Sequence, residues 1–459
     1  MDDIIIWGAG KAALKRYDWA VFAGYDVLFF VDNDAGMWGE KINGIPVCSP
    51  EAIQEYDCII LTPDRYFDEI KAQLDKMAYK GRQMGVECFM KEALYRACTN
   101  VDLTDVNIGD NMSFVFDAYF PGNNWGGTEE WSCTVANALS KSGGQTWMIC
   151  GMNDKFDVFT HNCLHFDDES EINMIKKMAQ KIAERLPCVV ISRLTIVLYA
   201  AQVVKTLFPD KVKIVAMVHS DDTYNYRELT FWSDKIDKII CISQKISSEL
   251  QRYGVKKELL EYRPNPIQLP KIAGERAIWH GTLKVGFAGR LVKELKRAHL
   301  LTGIIETCMQ KEMDVQFNIA GEGDCLELLR TYVTERQWEN KVSVLGWIPP
   351  SEMEKFWKEQ DVYLNISSAE GMSLAMLEAM ACGAVPVVTD VSGVSDVIED
   401  GKNGFVVSVE EWLEAADKIE ILNNNRELLH SAGVCNMKLM REKCNVDDYA
   451  GWMKDTFTE

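Results

Sequence analysis

Residues 361–405, DVYLNISSAEGMSLAMLEAMACGAVPVVTDVSGVSDVIEDGKNGF, constrain this chain more than any other stretch. The apolar run 362–366 reads as a buried strand. Residues 373–381 read as a helix stopped by Gly383, and 385–389 as a second strand before a glycine-punctuated turn. Glu370 and Gly371 fall where the loop enters the helix. A helix N-terminus after Gly371 offers free backbone N–H groups and a positive dipole end, which suits a phosphate. Glu378 lies eight residues beyond Glu370, a rise of roughly 12 Å if the whole span were helical. Two carboxylates so separated suit the two ends of a long ligand. Glu378 taken alone fits a solvated helix face better.

The same alternation fills most of the chain. Strands are expected at 113–116, 146–150, 188–192, 213–218, 238–242, 284–288, 314–320 and 342–345, with helices between them. Strands alternating with helices predict parallel, doubly wound sheets, whose ligands bind outside the carboxyl ends of the strands. Chemistry-bearing residues gather at those ends. Gly126 and Gly127 follow the strand 113–116 and permit close backbone approach. His219 follows 213–218, and Gly289-Arg290 closes 284–288, with Lys293, Lys296 and Arg297 just beyond. Gly321 and Gly323 follow 314–320 in a Gly-Glu-Gly-Asp turn.

Together these pieces resemble the donor site of retaining glycosyltransferases of the GT-B fold, family 4 (glycosyl transferases group 1). The pattern Glu, seven residues, Glu, then a small-residue run and a strand appears here as E-GMSLAML-E-AMACGAVPVV. The resemblance extends over residues 112–459 and implies an α/β protein with two Rossmann-like lobes preceded by a small Rossmann-like domain. It implies Glu370 on the donor sugar, Glu378 on the ribose, and His219 on the sugar from the opposite lobe. Arg290 and Lys296 would neutralise the departing diphosphate, with Lys293 the rival for the lysine. Gly126, Gly127, Gly289, Gly321, Gly323, Gly371, Met372 and Ser373 would cradle the donor. The nucleobase would lie near Gly346-Trp347, and the Pro264-Asn265-Pro266 turn precedes the interdomain linker. The implied activity is metal-independent hexosyl transfer from a UDP- or GDP-linked sugar, without further cofactor, to a saccharide or lipid-linked saccharide. Cell-surface polysaccharide synthesis is the implied process.

Residues 1–98 read as a separate small α/β unit. A buried strand at 3–7, the turn Gly8-Ala9-Gly10, a helix, and a strand at 27–31 ending in Asp32 follow the Rossmann order. The turn lacks a third glycine. The pieces IWGAG, VDND and NGIPV resemble the sugar-nucleotide-binding N-domain of bacterial sialic-acid-type acyltransferases. That resemblance implies a nucleotide pocket at Gly8, Gly10 and Asp32; the alternative is a docking or stabilising module. The expected division is 1–98, a lobe over 110–275, a lobe over 282–435, and a C-terminal helix over 436–459 that crosses back to the first lobe.

Composition narrows the partners. A net charge of −20 disfavours nucleic acid and anionic lipid, leaving only peripheral membrane contact with a lipid-linked acceptor open. No apolar run approaches the roughly 18 residues that span a bilayer, so a cytoplasmic location is expected. The 14 cysteines contain no CxxC pair, which reads as reduced thiols and argues against structural zinc. Two competing readings are a sugar-nucleotide epimerase on the same plan and a non-catalytic sugar-nucleotide-binding scaffold.

Overall fold

The computed structural model describes residues 2–97, 101, 103, 106–118, 126–151, 163–166, 170–193, 196–271 and 281–458. The loop 121–125 and nearly all of the 271–281 linker lie outside these residues. The chain is α/β throughout, with parallel sheets, as expected. It forms two compact units, the first from residues 1–122, 147–154 and 162–214, the second from 123–146, 155–161 and 215–459.

In the first unit, β1 (Asp2–Trp7), β2 (Tyr25–Val31), β3 (Lys41–Ile42), β4 (Ile45–Cys48), β5 (Ile59–Thr62) and β6 (Gln83–Gly85) form one sheet in the order β3-β4-β2-β1-β5-β6. Only the β3–β4 pair is antiparallel. Ile4, Ile5 and Ile6 are fully buried because β1 lies centrally and is covered on both faces. The helix Ala13–Phe22 that follows β1 ties this sheet to later chain. Trp19 meets Tyr199 edge-on at 5.6 Å, and Lys15 pairs with Glu171 at 3.1 Å. The same unit holds β7 (Ser113–Ala118), most of β8 (Gln145–Gly151), β9 (Cys163–Phe166) and β10 (Cys188–Ser192), with β10 parallel to β7 and β8 parallel to β9.

The second unit holds most of β11 (Val212–Val218) with β12 (Lys238–Cys241) and β13 (Leu260–Tyr262), which run parallel. A further parallel sheet contains β14 (Leu283–Ala288), β15 (Val315–Ala320), β16 (Val342–Gly346), β17 (Val362–Asn365), β18 (Val385–Thr389) and β19 (Phe405–Val407). Its order is β16-β15-β14-β17-β18-β19, so the strand order reverses between β14 and β17. That reversal opens a crevice at the carboxyl ends of β14 and β17, the place where doubly wound sheets bind ligands. Beneath it Val285, Phe287, Phe317, Leu364, Val385 and Val387 make a continuous core. The last helix, Val446–Thr458, packs on the helix Gly127–Lys141, with Tyr449 edge-on to Trp131 at 6.1 Å.

Candidate active site

The site is built where β14 and β17 end. The helix Leu374–Ala381 has Ser373 as N-cap, its hydroxyl accepting from the Met376 N–H at 3.4 Å. Tyr363, buried on β17, shares a 3.0 Å hydrogen bond with the same hydroxyl. The helix ends as its sequence predicts, with Gly383 at φ 84°. Glu370 precedes the helix rather than lying on it. Its side chain turns back to Lys296, with which it forms an ion pair, and to Ser367 at 2.8 Å. Burial pushes the Glu370 carboxyl up, but Lys296 and the hydrogen bonds from Ser367 and Asn365 override it and hold it below the ordinary carboxylate range.

The glycines pack the crevice floor. Gly321 has φ 138°, and a Cβ there would lie 1.8 Å from the Gly289 carbonyl oxygen. The Gly289 position in turn faces the Lys296 stem at 3.7 Å, so Gly289, Lys296 and Glu370 share one neighbourhood. Lys293 is exposed, and its charge acts on the Cys325 thiol. Arg290 is exposed at the end of β14, with no carboxylate in ion-pair range among the described residues. Gly323, with φ 149°, sits against the Leu291 carbonyl.

The β11 and β12 part of the unit meets this crevice through backbone. A Cβ on Gly371 would fall 2.0 Å from the His219 carbonyl oxygen. A Cβ on Gly127 would lie 3.6 Å from the Leu374 side chain, and Asn265 donates from Nδ2 to the Met372 carbonyl at 2.9 Å. Gly126 caps the helix Gly127–Lys141, its N–H donating to Glu129 at 2.9 Å. His219 lies edge-on to Trp131 at 5.3 Å. The structure therefore brings Gly127, His219, Gly371, Met372 and Ser373 together beside Lys296 and Glu370.

Glu378 faces elsewhere. It lines a pocket of about 210 Å³ with Glu130, Trp131, Pro266, Pro350 and Trp357. Burial and the nearby Glu130 push its carboxyl up to about 7. Burial raises the Tyr363 hydroxyl, and both Glu370 and Glu378 add to that rise. In the N-terminal sheet, Gly8 (φ 101°) and Gly10 lie after β1 with Asp32 beside them. Both Asp32 oxygens accept backbone N–H groups, from Ala9 at 2.7 Å and from Asp34 at 2.9 Å. The acid closes its own turn.

Sequence reading missed Asn365, Ser367 and Tyr363, which hold Glu370 and Ser373. Their position at the end of β17, immediately before Glu370, was the available signal. Glu130 and Trp357 carried none, because only the fold brings them to Glu378.

The two Rossmann-like halves with a ligand crevice at a strand-order reversal make this a GT-B fold. Comparison with known structures agrees: HepE from Anabaena, crystallised with UDP, superposes with a TM-score of 0.62 at 18% identity, covering 75% of this chain and 99% of that one. Residues 271–434 match the family of glycosyl transferases group 1. Residues 1–84 match a second family, described as C2185-like, N-terminal. Among curated relatives, the GPI3 subunit of phosphatidylinositol N-acetylglucosaminyltransferase from Saccharomyces cerevisiae is 24% identical over 200 residues, 41% of this chain and 44% of the relative. Poly(ribitol-phosphate) alpha-N-acetylglucosaminyltransferase from Staphylococcus aureus is 32% identical over 150 residues, 32% of this chain and 30% of the relative. The chain thus spans less than half the length of these relatives.

Proposed function

We propose that the protein is a retaining, metal-independent glycosyltransferase that moves a sugar from a nucleoside-diphosphate-sugar to a saccharide or lipid-linked saccharide. The observation that carries this reading is the convergence of Arg290, the Lys296–Glu370 pair and the N-terminus of the helix Leu374–Ala381 at the β14/β17 crevice. The hard step is departure of an anionic diphosphate as the sugar becomes oxocarbenium-like. Fixed positive charge aimed at the leaving oxygens lowers that barrier, often as the largest catalytic contribution. Arg290, Lys296 and the helix dipole supply that charge. Glu370 takes sugar hydroxyls, while His219 closes on the sugar from the β11 side; Glu378, turned into the Glu130 pocket, is left out of the donor site. The bond from the anomeric carbon to phosphate oxygen breaks, the bond to the acceptor oxygen forms on the same face, and the acceptor proton passes to the leaving phosphate. HepE was crystallised with UDP, which supports a nucleoside diphosphate in the corresponding crevice. The Staphylococcus aureus relative glycosylates poly(ribitol-phosphate), which supports a polymeric acceptor and a role in polysaccharide synthesis.

For residues 1–98 we propose a docking or stabilising role. The engagement of Asp32 by two backbone amides favours it over a ribose site. The cytoplasmic location belongs to the same proposal; among the described residues no helix is long and apolar enough to cross a membrane.

The test is ligand-induced thermal stabilisation by UDP, GDP, ADP, CDP and their common sugar conjugates, with and without EDTA. Binding at a hundredfold excess over Kd stabilises by about 2.7 kcal/mol. One nucleotide should shift the melting point selectively, in EDTA as well, and Arg290→Ala should abolish the shift. Indifference to every nucleotide and nucleotide-sugar refutes the donor site.

A further inference from the structure

Glu370 is held asymmetrically. Lys296 Nζ and Asn365 Nδ2 at 3.3 Å donate to Oε1, and the Ser367 hydroxyl shares its one proton between Oε1 at 2.8 Å and Asn365 Oδ1 at 2.7 Å. No described residue donates a hydrogen bond to Oε2. The donors are themselves fixed. Asn365 Oδ1 accepts from the Ser367 N–H at 3.1 Å and faces its hydroxyl at 2.7 Å, and Thr389 Oγ1 donates to the Ser367 carbonyl at 2.6 Å. Asn365, Ser367 and Thr389 are 5%, 0% and 1% exposed. Asn365 ends β17 and Thr389 ends β18, so adjacent parallel strands lock the assembly.

We propose that Asn365 and Ser367 are positioning residues that fix Oε1 of Glu370 against Lys296, so that Oε2 is the oxygen presented to a hydroxyl of the donor sugar. The inference rests on the reading of Glu370 as the sugar-contacting carboxylate and goes beyond it. It assigns each oxygen a task and names the two buried side chains that enforce the division. A carboxylate with both oxygens free rotates and exchanges acceptors; one pinned by three donors offers a single acceptor in one orientation, which reduces the ordering that sugar binding demands.

Asn365→Asp is the sharpest variant. It keeps the side-chain volume and the oxygen that Ser367 uses, while replacing the donor to Glu370 by an anionic acceptor. Ser367→Ala removes the second donor, and Ser367→Thr restores a hydroxyl. Each variant and the wild type are assayed for nucleoside diphosphate release from whichever of UDP-glucose, UDP-N-acetylglucosamine, GDP-mannose and ADP-glucose the wild type turns over. The pH profile and the stabilisation by the matching free nucleoside diphosphate are measured alongside. In Asn365→Asp and Ser367→Ala, kcat/KM should fall about tenfold and the acidic limb of its pH profile should move up by about one pH unit. Stabilisation by the nucleoside diphosphate, which carries no sugar, should stay at the wild-type value, and Ser367→Thr should recover most of the activity.

Variants that keep the wild-type acidic limb and kcat/KM overturn the inference. So does a loss of nucleoside diphosphate binding in step with activity, because the residues would then serve the fold or the nucleotide. Failure of the donor reading looks different: the wild type itself would neither turn over nor be stabilised by any of these compounds, and the inference would fall with it.

Discussion

Asn265 and Met372, 107 positions apart, are joined by a 2.9 Å hydrogen bond from the Asn265 amide to the Met372 carbonyl. Asn265 lies just beyond β13 and is 3% exposed, while Met372 sits in the loop that launches the helix Leu374–Ala381. The bond fixes the height of that helix's N-terminus against the β11–β13 side of the unit. Asn265→Ala strands a buried carbonyl and should lower stability by about 1–3 kcal/mol, visible in thermal unfolding. It should also weaken nucleoside diphosphate binding, because the loop it anchors is the proposed phosphate cradle. Unchanged melting in Asn265→Ala would show that the bond does not hold the loop.

Gly371 is required for room. A Cβ would meet the His219 carbonyl oxygen at 2.0 Å and the Ile242 side chain at 2.8 Å. A backbone oxygen cannot rotate aside as a flexible side chain does, so Gly371→Ala must push the loop away from β11. The expected result is a loss of activity of tenfold or more with a smaller loss of melting temperature. Gly10→Ala in the N-terminal turn, where a Cβ meets nothing within 4 Å, is the matched control and should be near wild type.

Glu378 gives the fold a pH dependence. Its carboxyl is raised from an ordinary value near 4.5 to about 7 by burial first and by Glu130 second. Between those values the folded state keeps a proton that the unfolded state has lost, so stability falls as pH rises through the window and levels off above 7. Glu378→Gln removes the titration. Its stability relative to wild type should grow from pH 4.5 to 7, by at most about 3 kcal/mol, in denaturant melts across that range. Parallel pH curves for the two proteins would contradict the raised carboxyl. Glu130→Gln should lower the Glu378 value and flatten the same slope in part.

Much of this was readable from residues alone, for reasons that can be named. β10 (Cys188–Ser192) and β18 (Val385–Thr389) are buried on both faces, so unbroken apolar runs announce them within a residue or less. The helix Leu374–Ala381 carries its own start and stop signals in Ser373 and Gly383. β9 (Cys163–Phe166) and β19 (Phe405–Val407) were not readable, because three or four residues at a sheet edge draw their strand character from a neighbour. The same boundary runs through the site. Glu370, Lys296 and Gly371 belong to local patterns, and the contacts among them follow from strands ending side by side. The Asn265–Met372 bond and the Glu130–Glu378 pocket depend on how distant segments pack. Local patterning carries no trace of that.

The Lys296–Glu370 pair should behave as a coupled unit. Both side chains are largely out of water, at 18% and 15% exposure. Replacing one partner leaves the other charged without its counterion, whereas replacing both leaves a neutral contact. Lys296→Met alone should cost about 2–4 kcal/mol at pH 7, and adding Glu370→Gln should recover part of that loss. The sign with pH follows from the lowered Glu370 carboxyl: the pair's stabilisation is fully present above pH 4.5 and is lost as pH falls through the folded-state value. In Lys296→Met the carboxyl loses its cation, so the variant's stability should rise as the medium is acidified from neutral pH and Glu370 takes up a proton. Additive single and double substitutions in a cycle at pH 7 would mean that the two charges do not support one another. A coupling of 1 kcal/mol or more that fades at low pH would mean that the ion pair holds the crevice open to a ligand with its charges already arranged.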